Sequence, residues 1–390
     1  MKSIKYIVSY DIESNFKENR VNVLASSNKI NYIVSVLNDL GYKVDLISTS
    51  QTLNSRCYLG KEISLGINKL HLFPTTWRGG VILKCINVLV MRWNIWRYLK
   101  KNVSLGEKII IYHSIGNLWA LRYLKKIKKA YIIEEVEEIY GEIFENKRLV
   151  IKEKKELQLA DAYMFPTILL DEFINKTNKP KIIVHGAYRK SDFLKKGLED
   201  NKNNEIGIFE ENKFHVGYTG IIDSQKGSHL IVKAAQYLDE NYHIHILGFG
   251  TQKEIDSLNA CIIETKNKTN CIISFDGIRR GVVYEEYLKK LNVGICPVDS
   301  DKKFILTQFP SKIISYMINN LPVLCSDIQT VKTSDVAKGV FFYQGNSPID
   351  IANAIINIKN QIGYYNVQEL IFECDKKFIK EFRTLLQEGK

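Results

Sequence analysis

The chain has no CxxC pair, no apolar run that stays unbroken for the thickness of a bilayer, and fewer acidic than basic residues. Its seven cysteines, Cys57, Cys85, Cys261, Cys271, Cys296, Cys325 and Cys374, are scattered. That scatter excludes a zinc ribbon or a dithiol centre, and the thiols read as reduced packing residues without a metal site. The most apolar stretch, VILKCINVLVMRWNIWRYL at 81–99, is interrupted by Lys84, Asn87, Arg92 and Asn94. It is therefore excluded as a membrane span and expected as a helix that buries or docks. At the N-terminus, MKSIKYIVSYDIE has only a short apolar run ending in Asp11 and Glu13, which fits a first strand rather than a signal peptide; a cytoplasmic location is expected. No repeat of solenoid period is present.

What the chain does have is enough length for two domains. At 390 residues, 45% hydrophobic and 25% charged, it reads as a soluble globular protein in which each half buries its own core. Its net charge of +12 is concentrated locally in the first half. RYLKK occurs at 97–101 and again at 122–126, the second copy running on to Lys128 and Lys129. Cations beside an aromatic helix carrying Trp93 and Trp96 suit the surface of an anionic membrane, where each basic residue adds about 1 kcal/mol. An internal helix flanked by solvated lysines suits the same residues. Nucleic acid is not expected as a partner, because there is no recognised motif and the cations are not interleaved with exposed-looking aromatics.

Apolar runs alternate with helical periodicity throughout. Strands are predicted at 4–10, 43–48, 108–114, 130–135, 162–167 and 181–186, and a helix over 29–41 has Ile30, Ile33, Val34, Leu37 and Leu40 on one face with Gly41 at its end. Such alternation predicts parallel sheets. Residues 187–213 are charged and Asn-rich without periodicity. The expected organisation is a Rossmann-like domain over 1–195, a linker over 196–213, a second Rossmann-like domain over 214–365 and a terminal helix over 366–390.

The chemistry concentrates in the second half. FHVGYTGIIDSQKGSHLIVKAAQYL at 214–238 is an apolar strand, a glycine turn, a polar loop with Lys226 and Gly227, and a helix start. A diphosphate needs such a layout: glycines let the backbone approach, and amide N–H groups and a lysine meet the charge. HIHILGFGTQKEI at 243–255 repeats the strand and glycine turn with Gly248 and Gly250, and 292–327 supplies a third strand, loop, helix and strand. Three such units in order place their loops along one sheet edge, where α/β proteins bind ligands. Gly248-Phe249-Gly250 is not a dinucleotide fingerprint, since Lys253 stands where the third glycine belongs, and a dehydrogenase is disfavoured. Asp299-Ser300-Asp301 has the DxD spacing of a divalent-metal chelate, but Lys302 and Lys303 adjoin it and no metal is expected there.

GYTG followed by QKG, then ILGFG, FDG at 275–277 with YEEYLKK, CPVDS, FPSKIISYM and LPVLCSD form an ordered set over about 120 residues. This set resembles the retaining glycosyltransferases of the GT-B fold, family 4. IIIYHS at 109–114 and YIIEEVEEIYGE at 131–142 resemble, more loosely, bacterial members that build surface polysaccharide. The resemblance implies an α/β fold of two doubly wound parallel-sheet domains facing a central cleft, with the C-terminal helix crossing back to the first domain. It also implies transfer of a hexose, with retention, from a nucleotide sugar to a growing, lipid-linked bacterial glycan. No cofactor is implied beyond the donor itself, guessed to be a UDP-sugar.

Departure of a nucleoside diphosphate demands stabilisation of phosphate charge. The resemblance assigns donor contacts to Gly220, Ile221, Lys226, Gly248, Gly250, Gly277, Phe309, Pro310, Ser311, Lys312 and Ser315, with Lys226 as the first catalytic cation. It assigns His113 to the transferred sugar and Glu135 and Glu138 to acceptor hydroxyls within the acidic run Glu134, Glu135, Glu137 and Glu138. Two positions depart from the family pattern. Ile221 stands where an arginine commonly follows the first glycine, and Thr307 and Ser315 stand where two glutamates commonly lie, the second gripping the donor ribose. These losses leave open a catalytically silent partner subunit, and a nucleotide-sugar epimerase or phosphorylase on the same fold remains a further alternative.

Overall fold

A computed structural model describes residues 1–21, 24–77, 79–190, 208–223, 227–298, 307–363 and 365–388. The chain divides into two compact units, Met1–Glu199 with Lys377–Lys390, and Asp200–Lys376.

The first unit is built on strands β1 (Lys2–Val8), β2 (Tyr42–Ser48), β3 (Lys61–Leu65), β4 (Asn68–Leu72), β5 (Lys108–Tyr112), β6 (Tyr131–Glu135), β7 (Ala162–Phe165) and β8 (Lys181–Ile183). They form one sheet in the order β3-β4-β2-β1-β5-β6-β7-β8. Because helices cover both faces, the central strands are apolar on both sides: Tyr6, Ile7 and Val8 of β1 and Ile109, Ile110 and Ile111 of β5 are all fully buried. The helix Leu24–Asp39 packs Ile30, Ile33, Val34 and Leu37 inward and ends at Gly41, whose φ is +83°. The two turns of Phe378 and Phe382 on the helix Gln368–Gln387 are buried in this unit, Phe378 5.3 Å from the Tyr32 ring, and Lys108 Nζ donates to the Leu386 carbonyl at 2.7 Å.

The second unit carries β9 (Phe214–Ile221), β10 (Tyr242–Phe249), β11 (Ile272–Gly277), β12 (Val293–Cys296), β13 (Val323–Ser326) and β14 (Val340–Tyr343), in the order β11-β10-β9-β12-β13-β14. All its pairings are parallel. Its core lies between Val216, Tyr218, Ile244 and Ile246 on the sheet and the helices Ser228–Ala234, Gln252–Lys266 and Pro348–Gln361.

Three sequence expectations need correction. The first sheet is mixed rather than wholly parallel, because β3 and β4 form an antiparallel hairpin joined through Gly66 and Ile67. Lys61 and Glu62 sit on the exposed edge strand β3, and with the half-exposed Lys69 on β4 they break the apolar alternation that would have marked a strand. Several strands also end two or three residues early, since the chain turns as soon as it clears the sheet: Ile115–Asn117 is already a 3-10 turn after β5. Among the cysteines, Cys57 and Cys85 are exposed rather than packed; the other five are buried.

Candidate functional site

In the second unit, strand register brings the predicted glycines together. Gly220 pairs with Gly248, and Leu247 with Gly277, so three neighbouring strands reach their C-terminal ends side by side. A Cβ on Gly248 would collide with the Gly220 carbonyl oxygen, and one on Gly250 would lie 2.7 Å from the Ile222 carbonyl oxygen. Gly220 has φ +144°, a conformation that side chains rarely adopt. The glycines at this edge therefore let neighbouring strand ends pack backbone against backbone. Ile221, where a cation was missing, is 38% exposed and offers only apolar surface.

Lys312 reaches the same edge from the first position of the helix Lys312–Ile318. A Cβ on Gly220 would stand 3.2 Å from its Nζ, which lies 3.7 Å from the centre of the Tyr218 ring. Burial lowers the Lys312 pKa, against the attraction of Cys296, Tyr284 and Cys325. A cation held this way gains when an anion arrives beside it. One turn on, Ser315 Oγ lies 3.2 Å from Tyr284 Oη, which lies 3.2 Å from Thr219 Oγ1. Thr219 in turn donates from its backbone N to Tyr316 Oη at 2.9 Å. Ser315 is thus tied into a chain of hydroxyls at the end of β9. Phe309 is nearly buried, Pro310 is half-buried, Ser311 is exposed at the start of the helix, and Thr307 is half-buried. Lys226, Asp299 and Asp301 lie outside the described residues.

In the first unit, His113 follows β5 and is buried. Its Nε2 is 2.9 Å from Glu153 Oε1, and its Nδ1 is 3.6 Å from Glu134 Oε1. Burial opposes a charge on the imidazole, but Glu134 and Glu153 prevail and raise its pKa to about 8. Glu153 is held by the backbone N–H groups of Gly141, at 2.6 Å, and Tyr140, at 3.1 Å. Glu135 is also fully buried and accepts a hydrogen bond from Tyr6; burial, with Glu137 nearby, raises its pKa to about 7 despite the attraction of Lys29. Glu138 is half-exposed. Lys29 bridges Glu137 and the Val184 carbonyl.

Thr219, Tyr284 and Glu153 were not anticipated. Glu153 sits in KRLVIKEKKEL, where nothing in the spacing separates it from the exposed-looking charges around it. Tyr284 is visible only as part of YEEYLKK, and its partners come from two other elements.

Residues 213–361 match the family described as Glycosyl transferases group 1. Against curated protein sequences, no match reaches significance. Among solved structures, the catalytic domain of starch synthase IV from Arabidopsis thaliana, bound to ADP and acarbose, is similar at 12% identity and a TM-score of 0.62, covering 100% of this chain and 98% of that one. Sucrose-phosphate synthase from Thermosynechococcus elongatus is similar at 11% identity and a TM-score of 0.64, covering 99% of this chain and 95% of its own. HepE of Anabaena, in complex with UDP, is similar at 10% identity and a TM-score of 0.58, covering 100% and 99%. At these identities the likeness establishes the GT-B fold.

Proposed function

We propose that this glycosyltransferase of the GT-B fold moves a hexose from a UDP-sugar to a growing, lipid-linked bacterial surface glycan, with retention of configuration. The observation that carries the donor side is the Lys312 ammonium beside Gly220, at strand ends that Gly220 and Gly248 allow to close on each other. Backbone approach plus one half-desolvated cation is what a leaving diphosphate requires, since charge accumulates on its oxygens as the sugar becomes cationic. ADP and UDP in the starch synthase and HepE structures support a nucleoside diphosphate as the donor class. Lys226, from the loop before Gly227, is proposed as the second cation, and Ser315 as the hydroxyl that meets the ribose.

Retention is supported by the motifs that resemble those of retaining enzymes: donor phosphate accepts the acceptor's proton at the face the sugar leaves. His113, with a pKa near 8, is an imidazolium at neutral pH. It acts through charge and hydrogen bonding rather than as a base, and the half-exposed Glu138 is proposed to meet acceptor hydroxyls, whereas Glu135 is fully buried against Tyr6.

A lipid-linked acceptor is supported by the helix Val81–Asn102. Val81, Ile82, Leu89 and Trp93 are 77%, 77%, 64% and 58% exposed, while the opposite face buries Met91, Ile95 and Leu99. Lys84, Arg97, Lys100 and Lys101 are exposed on the same helix. No helix among the described residues is long and apolar enough to cross a membrane. An exposed apolar strip edged with cations fits the headgroup layer of an anionic bilayer.

Thermal-shift titration with UDP, GDP and ADP tests the donor side. Ligand at 100 times its dissociation constant stabilises by about 2.7 kcal/mol. Lys312→Met removes one charge-assisted contact of about 1.5–3 kcal/mol, so affinity for the preferred diphosphate should fall about 10- to 100-fold. Unchanged affinity in Lys312→Met would remove the phosphate site from this edge.

A further inference from the structure

Three of the seven histidines meet at one place, toward the opposite strand ends from Gly220 and Gly248. His243 and His245 are two apart on β10 and share a face, and His215 on β9 pairs in register with His243. They are 2%, 1% and 5% exposed.

Their hydrogen bonds fix the tautomers. His215 Nε2 lies 2.9 Å from the Glu210 carbonyl oxygen, which can only accept, so the ring hydrogen is on Nε2 and Nδ1 presents a lone pair. His245 Nδ1 lies 3.1 Å from Asp276 Oδ2 and 2.8 Å from Tyr287 Oη, whose own hydrogen goes to Asp276 Oδ2, so both neighbours accept from Nδ1. The hydrogen of His245 is therefore on Nδ1, and Nε2 presents a lone pair. Those two lone-pair nitrogens, His215 Nδ1 and His245 Nε2, face each other at 2.9 Å. Two acceptors at that separation repel unless something positive is shared between them. His243 stacks on His245 with ring centroids 3.7 Å apart, its Nδ1 2.9 Å from Glu210 Oε2 and its Nε2 3.0 Å from Ser274 Oγ. One nitrogen from each ring lies within 4.8 Å of the other two.

We propose that His215 Nδ1, His245 Nε2 and one nitrogen of His243 bind a divalent first-row transition metal, zinc foremost. Neutral imidazoles with their outer N–H groups anchored on a carbonyl and a carboxylate are the arrangement such metals select. Tetrahedral zinc with bonds of about 2.0–2.1 Å sets its nitrogens roughly 3.3 Å apart, so the facing pair needs to open by only a few tenths of an ångström. The cysteine pattern gave no hint of a metal, and Asp299-Ser300-Asp301 is unrelated to this cluster in sequence. The ion is structural: it ties β9 to β10 through His215, His243 and His245, with Glu210 bonded to two of the three rings. Phe209 already stacks on His245 with centroids 4.5 Å apart.

Cobalt is the probe. Full-length protein stripped with chelator is titrated with Co²⁺, read by visible d–d absorption and by metal analysis. The expected result is one tetrahedral cobalt per chain, displaced by one zinc, with a higher melting temperature and unchanged affinity for nucleoside diphosphates. His215→Asn and His245→Gln should abolish the spectrum, and Asp276→Asn, which keeps every ligand, should weaken the metal about 10- to 100-fold. Folded wild-type protein that takes up no cobalt or zinc overturns the proposal and leaves a shared proton between His215 and His245. Uptake that survives both histidine variants overturns it as well.

Discussion

Glu153→Gln in the first unit is the most discriminating perturbation, because its effect should depend on pH in a direction the geometry fixes. His113 is pinned between Glu153 and Glu134, and its pKa is about 8 against an ordinary 6.5. A raised folded-state value means the stabilisation is fully present below about pH 6.5 and is lost as pH rises through 8. At about 1.4 kcal/mol per unit, the charged knot contributes roughly 2 kcal/mol at pH 6. Gln removes one of the two carboxylates and weakens the acceptor for the Gly141 and Tyr140 N–H groups, which costs about a further 1 kcal/mol at any pH. Glu134 still faces the imidazole in the variant, so the expected loss is about 1 kcal/mol at pH 9 and rises to as much as about 3 kcal/mol at pH 6. Glu135, whose pKa is also raised, titrates alike in both proteins and cancels in the difference. Urea unfolding followed by tryptophan fluorescence isolates the right unit, since all four tryptophans, Trp77, Trp93, Trp96 and Trp119, lie in the first one. A penalty that is the same at pH 6 and pH 9 would refute the reading of His113 as a buried imidazolium.

Two other perturbations address the remaining claims. Gly248→Ala drives a Cβ into the Gly220 carbonyl, so the second unit should lose more than about 2 kcal/mol of stability and the nucleotide-induced thermal shift should disappear; an unchanged melting curve would mean the two strand ends are not in contact. Leu89→Ser with Trp93→Ser alters exposed side chains only, so folding stability should stay within about 0.5 kcal/mol while co-sedimentation with phosphatidylglycerol vesicles drops several-fold. Equal sedimentation of variant and wild type would exclude this helix as the lipid contact.

The fold was largely legible because its signals are local. Strands of a parallel sheet are buried on both faces and read as apolar runs such as IIIY at 109–112, while the helix Leu24–Asp39 shows its inward stripe and its glycine stop. The β3–β4 hairpin was not legible, because an edge strand carries charges where a central one cannot. At the donor edge, Gly220, Gly248 and Gly250 announced themselves by residue type. What could not be read was that Gly248 and Gly220 approach so closely, or that Lys312, 92 positions along the chain, stands beside them.

Sequence by itself determined the alternation of buried strands with helices and the glycine turns, since hydrophobic period and backbone freedom are properties of neighbouring residues. Tertiary structure decided what the titratable side chains do. The solvated-looking Glu153 became the buried partner of His113, and HIH at 243–245, which reads as part of an ordinary strand, acquired a third imidazole from β9. Charge state and coordination depend on what lies within a few ångströms, and those neighbours come from strands and helices far apart in the chain.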